Sequence, residues 1–427
     1  MELMNARGTR DIFPEEKIAL NALSEELKQL FELYGFVPLD TPALERFEVL
    51  SAKYAGGEEI LKETFKVKDQ GDRELGLRYD LTVPLARFIG MNSQIKMPFK
   101  RYQIDKVWRD GPVETARFRE FIQCDVDIIG SNSMLADAEC IAIASDFFSK
   151  KFKQFEIQVN NRKLLNELVD FCGIPKEKSL TALLSIDKLK KVGEKEVIKE
   201  LKQKQISEKQ IQKLMKILSI SGSNEKILSE IKKILPQSEG IKELEELINY
   251  CKAFNAKNVQ ISLSMVRGLA YYTGTVLEVF VKGNKSSLCG GGRYDEMIAG
   301  FLERKEKICA VGLSFGLSRI YEELKDSKNK KTNTVLYIIS VGIQNQAIGL
   351  IQKIRALGIN CEMDLLQRGI SKNLDYANKM AIPFVLILGE NELKANSMKI
   401  KNMSSGKEIS LKLNELEKLK ELTQNAK

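Results

Sequence analysis

Five arginines lie beside stretches of the chain whose apolar pattern is typical of strands or of a helix start: Arg109, Arg117, Arg119, Arg267 and Arg319. An arginine among apolar strand residues costs free energy unless it is paired or faces a ligand. Guanidinium groups bind carboxylates and phosphates through paired hydrogen bonds. The set as a whole therefore predicts a site for an anionic, phosphate-bearing substrate, although surface charge is the simpler interpretation of any single member.

The chain contains no histidine among its 427 residues. Histidine is the usual general base and a common metal ligand, so its absence excludes hydrolase triads and histidine-ligated metal sites. The seven cysteines are scattered without a CxxC pair, which predicts reduced thiols that serve mostly in packing. The chemistry must therefore use arginine, carboxylate, tyrosine or cysteine side chains, or groups of the substrate, and the ligands of any metal ion are not indicated.

The segment CGGGRYD contains the densest group of glycines in the chain. Three glycines permit either a tight turn or a close approach of two backbones, and a glycine turn is the interpretation adopted for this segment. No Gly-Lys-Ser/Thr follows, so the segment is not a P-loop, and the spaced glycines of a dinucleotide-binding fold are absent. If the site binds phosphates, arginine side chains must hold them.

Several segments predict the elements that position these residues. Leu20, Leu23, Leu27, Leu30 and Tyr34 recur at helical spacing before Gly35, which predicts an amphipathic first helix. ETFKVKD and ELGLRYDLT flank the polar turn QGDR and predict antiparallel strands. A longer strand hairpin over FKRYQIDKVWRDGPVETARFREFIQCDVDIIG carries arginines along one edge.

The chain is long enough for two or three domains. From about Gly173 to Cys251 a lysine, glutamate, isoleucine and leucine composition at helical spacing predicts a helical insertion that splits the sheet region. After the polar linker KDSKNKKTN, strands alternate with helices, which is typical of a small α/β domain with a partly parallel sheet. The net charge of +9 permits an RNA partner without proving one. With no long apolar run and no apolar start, we expect no membrane span or secretory signal and a cytoplasmic location.

Three segments resemble the motifs of class II aminoacyl-tRNA synthetases. Motif 1 corresponds to the first helix and GFVPLDTPALE, with its proline at Pro42, motif 2 to FKRYQIDKVWRDGPVETARFREF, and motif 3 to AVGLSFGLSRI. MVRGLAYYTGTVLEV is similar to a block peculiar to the histidyl-tRNA synthetase family, and RGTRDIFPEE and GLRYDLT fit the same family. The resemblance covers the whole chain.

The resemblance implies an α+β fold, in which a class II antiparallel-sheet catalytic domain with a helical insertion precedes a small α/β anticodon-binding domain. The corresponding boundaries are 1–172 for the first catalytic part, 173–252 for the insertion, 253–325 for the second catalytic part and 326–427 for the anticodon-binding domain. It also implies the activity: histidine and ATP give histidyl-adenylate and pyrophosphate, and histidine passes to the 3′ end of tRNA(His). Mg²⁺ as the ion and a homodimer with motif 1 at its interface are further implications.

Residue roles follow from the same resemblance. Arg109 and Arg267 would be catalytic, on opposite sides of the α-phosphate of ATP, and Arg109 would also bind the substrate carboxylate. Arg117 would lie near the outer phosphates, and Phe121 and Arg319 would sandwich the adenine. The histidine-binding set would be Asp80, Thr82, Arg109, Gln123, Asp127, Arg267, Tyr271 and Tyr272.

Two positions depart from the family pattern. Motif 2 commonly has an acidic residue two places after its arginine, where this chain has Gly111, and Ala270 replaces an aspartate that often precedes the two tyrosines. The main alternative is the non-catalytic paralogue that regulates ATP phosphoribosyltransferase, which typically lacks the carboxy-terminal domain and the full arginine set. A threonyl or prolyl class II enzyme would not be expected to contain RGLAYYTGT, and a pure RNA-binding protein would lack pyrophosphate exchange.

Overall fold

The computed structural model describes residues 2–52, 61–113, 118–266, 271–302, 306–325 and 330–424, except for the side chain of Lys191. The chain divides into two compact units. The first comprises Met1–Arg10 and Leu23–Leu324, and the second comprises Asp11–Ala22 and Lys325–Lys427. Within the described ranges, no helix has the length and apolar composition needed to cross a membrane.

An eight-stranded sheet is the main structural element of the first unit. In spatial order its strands are β1 (Val37–Pro38), β5 (Phe99–Trp108), β6 (Glu120–Ile129), β11 (Ala310–Gly316), β10 (Cys289–Arg293), β9 (Thr275–Val281), β7 (Phe155–Asn161) and β8 (Val259–Ile261). The inner pairs are antiparallel, and the edge strands β1 and β8 pair in parallel with their neighbours. The predicted antiparallel catalytic sheet, assembled from two separate parts of the chain, is confirmed.

The glycine-rich segment is a strand, and the prediction of a glycine turn is wrong. Cys289–Arg293 pairs with β9 on one side and with β11 on the other. A Cβ atom added to Gly291 would lie 2.0 Å from the backbone oxygen of Gly312, and one added to Gly292 would lie 2.4 Å from that of Thr275. The glycines therefore allow a close approach of neighbouring backbones, the other use that their composition permits.

The two faces of this sheet differ in polarity, because successive side chains of a strand point to opposite sides. On one face, Cys124 and Val126 of β6 are fully buried together with Phe315 of β11. The Phe315 ring packs edge-on against Phe147 of α4 (Met134–Lys151), with 5.4 Å between centroids. The opposite face carries aspartate, glutamine and arginine side chains and forms the floor of a cleft.

The elements before the large sheet agree with the predicted pattern except at one strand end. The first helix, α1 (Pro14–Leu33), ends before Gly35, whose φ of +78° favours glycine. A small sheet contains β2 (Leu44–Arg46), β4 (Glu74–Leu77) and β3 (Lys66–Lys68) in that order, and α2 (Phe47–Leu50) follows β2. The strand predicted over ELGLRYDLT stops at Leu77, and α3 (Thr82–Met91) begins within the same segment.

Residues 173–252 are helical, and the structure describes their backbone throughout. After α5 (Arg162–Phe171) come α6 (Lys176–Ile186), α7 (Leu189–Val192), α8 (Glu194–Gln203), α9 (Glu208–Leu218), α10 (Asn224–Ile234) and α11 (Glu239–Ala253). Ser207 begins α9 with a capping box in which Ser207 and Gln210 satisfy each other's backbone amides. The helical spacing of the sequence therefore corresponds to helices, and those of ten residues or more each bury apolar side chains.

Two helices, α12 (Met297–Phe301) and α13 (Leu317–Leu324), complete the first unit.

The second unit has its own sheet. The strands of the second unit, in spatial order, are β13 (Cys361–Met363), β12 (Leu336–Val341), β14 (Phe384–Gly389), β15 (Ser397–Asn402) and β16 (Glu408–Lys412). Within the described part of the second unit that follows Lys325, the helices are α14 (Gln344–Ala356), α15 (Ile370–Lys379), α16 (Glu390–Lys394) and α17 (Leu416–Gln424). The first three strands are parallel and the last two antiparallel, which confirms the predicted partly parallel α/β domain.

Candidate active site

A cleft on the polar face of the eight-stranded sheet brings together every predicted site residue that the structure describes. These residues are Asp80, Thr82, Arg109, Phe121, Gln123, Asp127, Tyr271, Tyr272 and Arg319. The other two predicted residues, Arg117 and Arg267, lie outside the described residues, as does the Ala270 departure. The cavity has a volume of about 270 Å³. Its walls come from segments that are distant in sequence, and the pairing of β5, β6, β10 and β11 places them together.

Two arginines of the described ranges line the cleft. Arg109 follows β5 directly, donates from Nε to the backbone oxygen of Tyr79 at 3.0 Å, and places its guanidinium 5.2 Å from the ring centroid of Phe121. Arg319 on α13 is exposed and donates from Nη1 to the backbone oxygen of Ser287 at 3.1 Å. A hydrogen bond to a backbone oxygen thus helps to orient each guanidinium in the cleft.

The Gly111 departure has a structural counterpart in Glu63, which sequence analysis did not identify. A Cβ atom added to Gly111 would lie 2.8 Å from Oε1 of Glu63. The backbone amide of Asp110 donates to the backbone oxygen of Glu63 at 2.6 Å, and the Asp110 side chain pairs with Arg119 at 2.8 Å. An acidic group therefore reaches this part of the cleft from another segment, and no local sequence signal links Glu63 to Gly111.

Asp80 lies at the N-terminus of α3. Its Oδ1 accepts hydrogen bonds from the backbone amides of Thr82 at 3.2 Å and Val83 at 3.0 Å. Burial raises the pKa of the Asp80 carboxyl to about 6, and the two amides and the charge of Arg109 oppose that rise. At neutral pH Asp80 therefore carries a negative charge in the cleft.

Asp127 on β6 is engaged by protein groups. Its Oδ2 lies 2.7 Å from Nη2 of Arg101, and the hydroxyl of Tyr294 donates to its Oδ1. Burial raises the pKa of Asp127, against the attraction of Arg101, which is itself fully buried. Gly312 on β11 is the cross-strand neighbour of Asp127, and a Cβ atom there would lie 1.9 Å from Oδ1. Glycine at this position therefore makes room for the carboxylate.

Asp125 is a fourth carboxylate in the cleft, on the same face of β6 as Asp127, and sequence analysis missed it. It lines the cleft, is 3% exposed and is hydrogen-bonded by Ser314, whose hydroxyl also accepts from Nε2 of Gln123 at 2.9 Å. Burial raises the pKa of Asp125 to about 7, and the neighbouring charge of Asp127 adds to the rise. The alternation Gln-Cys-Asp-Val-Asp over 123–127 is the signal that could have found it, because residues two apart in a strand share a face.

Three tyrosines form an aromatic wall of the cleft. The rings of Tyr271 and Tyr272 have centroids 4.6 Å apart, and Tyr271 lies 6.1 Å from Tyr294 in an edge-on arrangement. Tyr294 follows the glycine strand and was also missed as a site residue. The wall offers flat apolar surface together with hydroxyl groups, which suits a polar ring.

The cleft combines positive and negative charge. Among the described residues, Arg109 and Arg319 line it together with four carboxylates and three tyrosines. Within the described ranges, no three or more acidic or cysteine side chains are grouped so that they could hold a metal ion. The combination fits a ligand that carries anionic phosphates, an ammonium group and a polar ring.

Comparison with known proteins gives concordant matches. The family model for histidyl-tRNA synthetase matches residues 8–320, and the anticodon binding domain model matches residues 334–422. Histidine–tRNA ligase 1 of Bacillus cereus is 39% identical over 424 residues, covering 97% of this chain and 99% of that protein. The histidine–tRNA ligase of Clostridium tetani is 36% identical over 430 residues, covering 96% of both.

Solved structures extend the comparison to the fold. A histidyl-tRNA synthetase from Nostoc sp. PCC 7120 is 30% identical, with a TM-score of 0.87 and coverage of 99% of each chain. A Bacillus halodurans protein described as an ATP phosphoribosyltransferase regulatory subunit/histidyl-tRNA synthetase has a TM-score of 0.76 at 22% identity, covering 90% of this chain and 98% of that one. At that identity the likeness concerns the fold alone.

Proposed function

Since the chain belongs to the histidyl-tRNA synthetase family, we propose that the cleft of the first unit is where it activates histidine and that the predicted residues carry out that step. The reaction is that of a histidine–tRNA ligase: histidine and ATP give histidyl-adenylate and pyrophosphate, and the histidyl group passes to the 3′ end of tRNA(His). The observation that carries the site assignment is the convergence of separate segments on one cleft lined by both arginines and carboxylates.

Arginines stabilise negative charge during the activation of histidine. The substrate carboxylate attacks the α-phosphate, a step that needs alignment and neutralisation of phosphoryl charge and no proton removal. Arg109, oriented by Tyr79 and Phe121, binds the carboxylate and the α-phosphate. By family resemblance Arg267 stands opposite Arg109 and Arg117 lies near the outer phosphates, and both lie outside the described residues.

The adenine binds between Phe121 and Arg319, which line the cleft together with Glu63. Mg²⁺ would be held mainly by phosphate oxygens and water, and when bound it would neutralise charge at the phosphates. The carboxylate of Glu63 is the oxygen donor in the cleft that would suit this ion.

Histidine binds on the acidic side of the cleft. Asp80 and Thr82 at the start of α3, with Gln123, take the ammonium group, and Asp127 and the tyrosines Tyr271 and Tyr272 face the ring. The ionised carboxylate of Asp80 supports this assignment. A buried polar set that must pair with its substrate rejects analogues that lack the matching groups.

Transfer to tRNA has to proceed without a histidine side chain in the enzyme. A phosphate oxygen of the adenylate is the base that accepts the proton of the attacking ribose hydroxyl. The residues matched by the anticodon binding domain model bind the tRNA anticodon. A cytoplasmic homodimer with the first helix and Pro42 at its interface, and domain boundaries at 172, 252 and 325, complete the proposal.

The competing function is that of a non-catalytic regulatory subunit on the same fold. It predicts no pyrophosphate exchange. Measuring ATP–pyrophosphate exchange with each of the twenty amino acids separates the two, and we expect exchange with histidine alone. Absence of exchange with every amino acid would contradict the proposal, and exchange with another amino acid would contradict the histidine assignment.

A chain that ends at Lys325 tests the role of the second unit. We expect histidine-dependent exchange to survive and charging of tRNA(His) to fall sharply, because anticodon contacts are lost while the cleft residues remain. The full chain is the control for both activities. Equal loss of exchange and charging would instead show that the second unit supports the catalytic unit.

A further inference from the structure

We propose that Asp125 is an additional specificity residue, whose buried carboxylate accepts a hydrogen bond from an imidazole N–H of bound histidine. The inference deepens the proposed function and depends on it. Asp125 belongs to neither the predicted histidine-binding set nor the motifs that revealed the family. Its burial and hydrogen bonding in the structure point to it.

The first support is an acceptor without a partner. Asp125 is 3% exposed, and its Oδ1 has no hydrogen-bond partner among the residues that the structure describes. Leaving a buried carboxylate oxygen without a hydrogen bond costs free energy, so such atoms are rare outside sites that a ligand completes. Because Asp125 lines the cleft, a donor on the substrate can reach the same cavity.

The second support is the different state of the two other carboxylates. Asp127 accepts the Tyr294 hydroxyl on Oδ1, and its Oδ2, which has no hydrogen-bond partner among the described residues, forms an ion pair with Arg101 at 2.7 Å. Oδ1 of Asp80 already accepts two backbone amides at the start of α3. Asp125 receives the Ser314 hydroxyl, and its Oδ1 has no hydrogen-bond partner among the described residues. Of the two carboxylates on β6, Asp125 is therefore the one whose free oxygen faces no contacting cation within the described ranges.

The register of the sheet indicates which substrate group this donor is. Asp125 lies between Gln123 and Asp127 on the cleft face of β6, two residues from each. Asp127 is bonded to Tyr294, which belongs to the aromatic wall, whereas Gln123 neighbours Asp125 through Ser314. The position of Asp125 beside Asp127, which contacts the wall, makes the ring the substrate group assigned to it, and its link to Gln123 makes the ammonium group the alternative to be tested.

Charge supports the same occupant. Asp125 and Asp127 are adjacent buried carboxylates, and the cation that acts on both of them is Arg101. A ligand that brings an N–H donor, or a protonated ring, relieves the repulsion between the two carboxylates. A neutral imidazole supplies an N–H donor and a protonated imidazole also supplies positive charge, whereas an apolar ring of the same size supplies neither. Asp125 would thus select histidine over analogues without a ring N–H, because such an analogue leaves the Asp125 carboxylate oxygen without a hydrogen bond.

The test is Asp125→Asn, assayed by ATP–pyrophosphate exchange in the full-length enzyme. We expect KM for histidine to rise about 30-fold, as for loss of a hydrogen bond to a charged group, with kcat and KM for ATP little changed. Asp125→Ser, a smaller replacement, should likewise raise KM for histidine while kcat and KM for ATP change little. It provides the test if the Asp125→Asn variant folds poorly. Asp146→Asn, an exposed position on α4, is the charge-matched control and should change nothing.

A ring analogue distinguishes the imidazole from the ammonium group. β-(2-Thienyl)-L-alanine has the size of histidine and the same α-ammonium group but no ring N–H, and its Ki against histidine-dependent exchange measures binding alone. We expect Asp125→Asn to leave this Ki unchanged while KM for histidine rises. Equal weakening of both ligands, or an unchanged KM for histidine, would overturn the inference. Absence of histidine-dependent exchange in the unaltered enzyme would instead refute the proposed function.

Discussion

The two faces of the eight-stranded sheet use the same strands for opposite purposes. On the helix face, β6 and β11 contribute Cys124, Val126 and Phe315, which are buried among the aromatic rings of α4. On the cleft face, the intervening residues of β6 are Asp125 and Asp127, which are buried to a similar degree. Burial alone therefore does not distinguish a stabilising position from a functional one.

The difference lies in what each buried group gains. Apolar side chains on the helix face gain free energy on leaving water. Carboxylates on the cleft face lose hydration, and the raised pKa values of Asp80, Asp125 and Asp127 reflect that cost. The fold thus holds in place a charged surface that is unfavourable without its ligand, and this is the usual relation between stability and activity in a binding site.

Removing a ring from the helix face should have the largest effect on stability. We expect Phe315→Ala to lower the free energy of unfolding by about 3–5 kcal/mol, because the ring is fully buried and its loss leaves a cavity. Urea denaturation measures this. Ser314→Ala, the preceding residue on the opposite face, is the comparison, with an expected loss of about 1–2 kcal/mol because Asp125 and Gln123 lose a hydrogen-bond partner. Similar losses for the two would contradict the division between faces.

Removing an arginine from the cleft face should act on catalysis. We expect Arg109→Ala to lower kcat of histidine-dependent pyrophosphate exchange by roughly 100–1000-fold, because charge developing on the phosphoryl group loses its partner. The free energy of unfolding should change by less than about 1 kcal/mol. Arg73→Ala, exposed in the β3–β4 hairpin, should alter neither quantity. An effect confined to KM would argue against the catalytic role of Arg109.

The free-energy cost of burying carboxylates on the cleft face can be measured from the pH dependence of the free energy of unfolding. Burial raises the pKa of Asp125 to about 7 in the folded chain from an ordinary value of 3.8, so the folded state binds more protons between these pH values. Stability attributable to Asp125 therefore falls as pH rises from about 4 to about 7 and stays low above that. Asp125→Asn should then unfold less readily than the unaltered enzyme at pH 8, by roughly 2–4 kcal/mol, and not at pH 4. A stability difference independent of pH would contradict this explanation.

The smallest effect is expected at the exposed arginine. Arg319→Ala should raise KM for ATP about tenfold with little change in kcat, because the proposed stacking of the guanidinium on adenine would be made equally in the bound substrate and in the transition state. Initial rates of pyrophosphate exchange at varied ATP measure this, again with Arg73→Ala as the control. Unchanged ATP affinity would show that Arg319 does not contact the nucleotide.

Sequence patterns predicted elements well where the signal is periodic and local. The helical spacing of Leu20 to Tyr34 corresponds to α1, and the composition of residues 173–252 corresponds to the helices of the insertion. The glycine segment was assigned a turn because glycine composition does not distinguish a turn from a crowded strand. Pairing of β10 on both sides, which involves residues far along the chain, decides between them.

By itself, the sequence determined the family, the activity, the order of the elements and nine of the residues that line the cleft, because the motif residues perform the chemistry through their types and spacing. Only the tertiary structure decided that Asp127 is ion-paired with Arg101 and that Oδ1 of Asp125 has no hydrogen-bond partner among the described residues. It likewise decided that Glu63 reaches the place beside Gly111 and that Gly312 makes room for Asp127. These are contacts between distant segments, and their energies depend on distances and burial that no local pattern encodes.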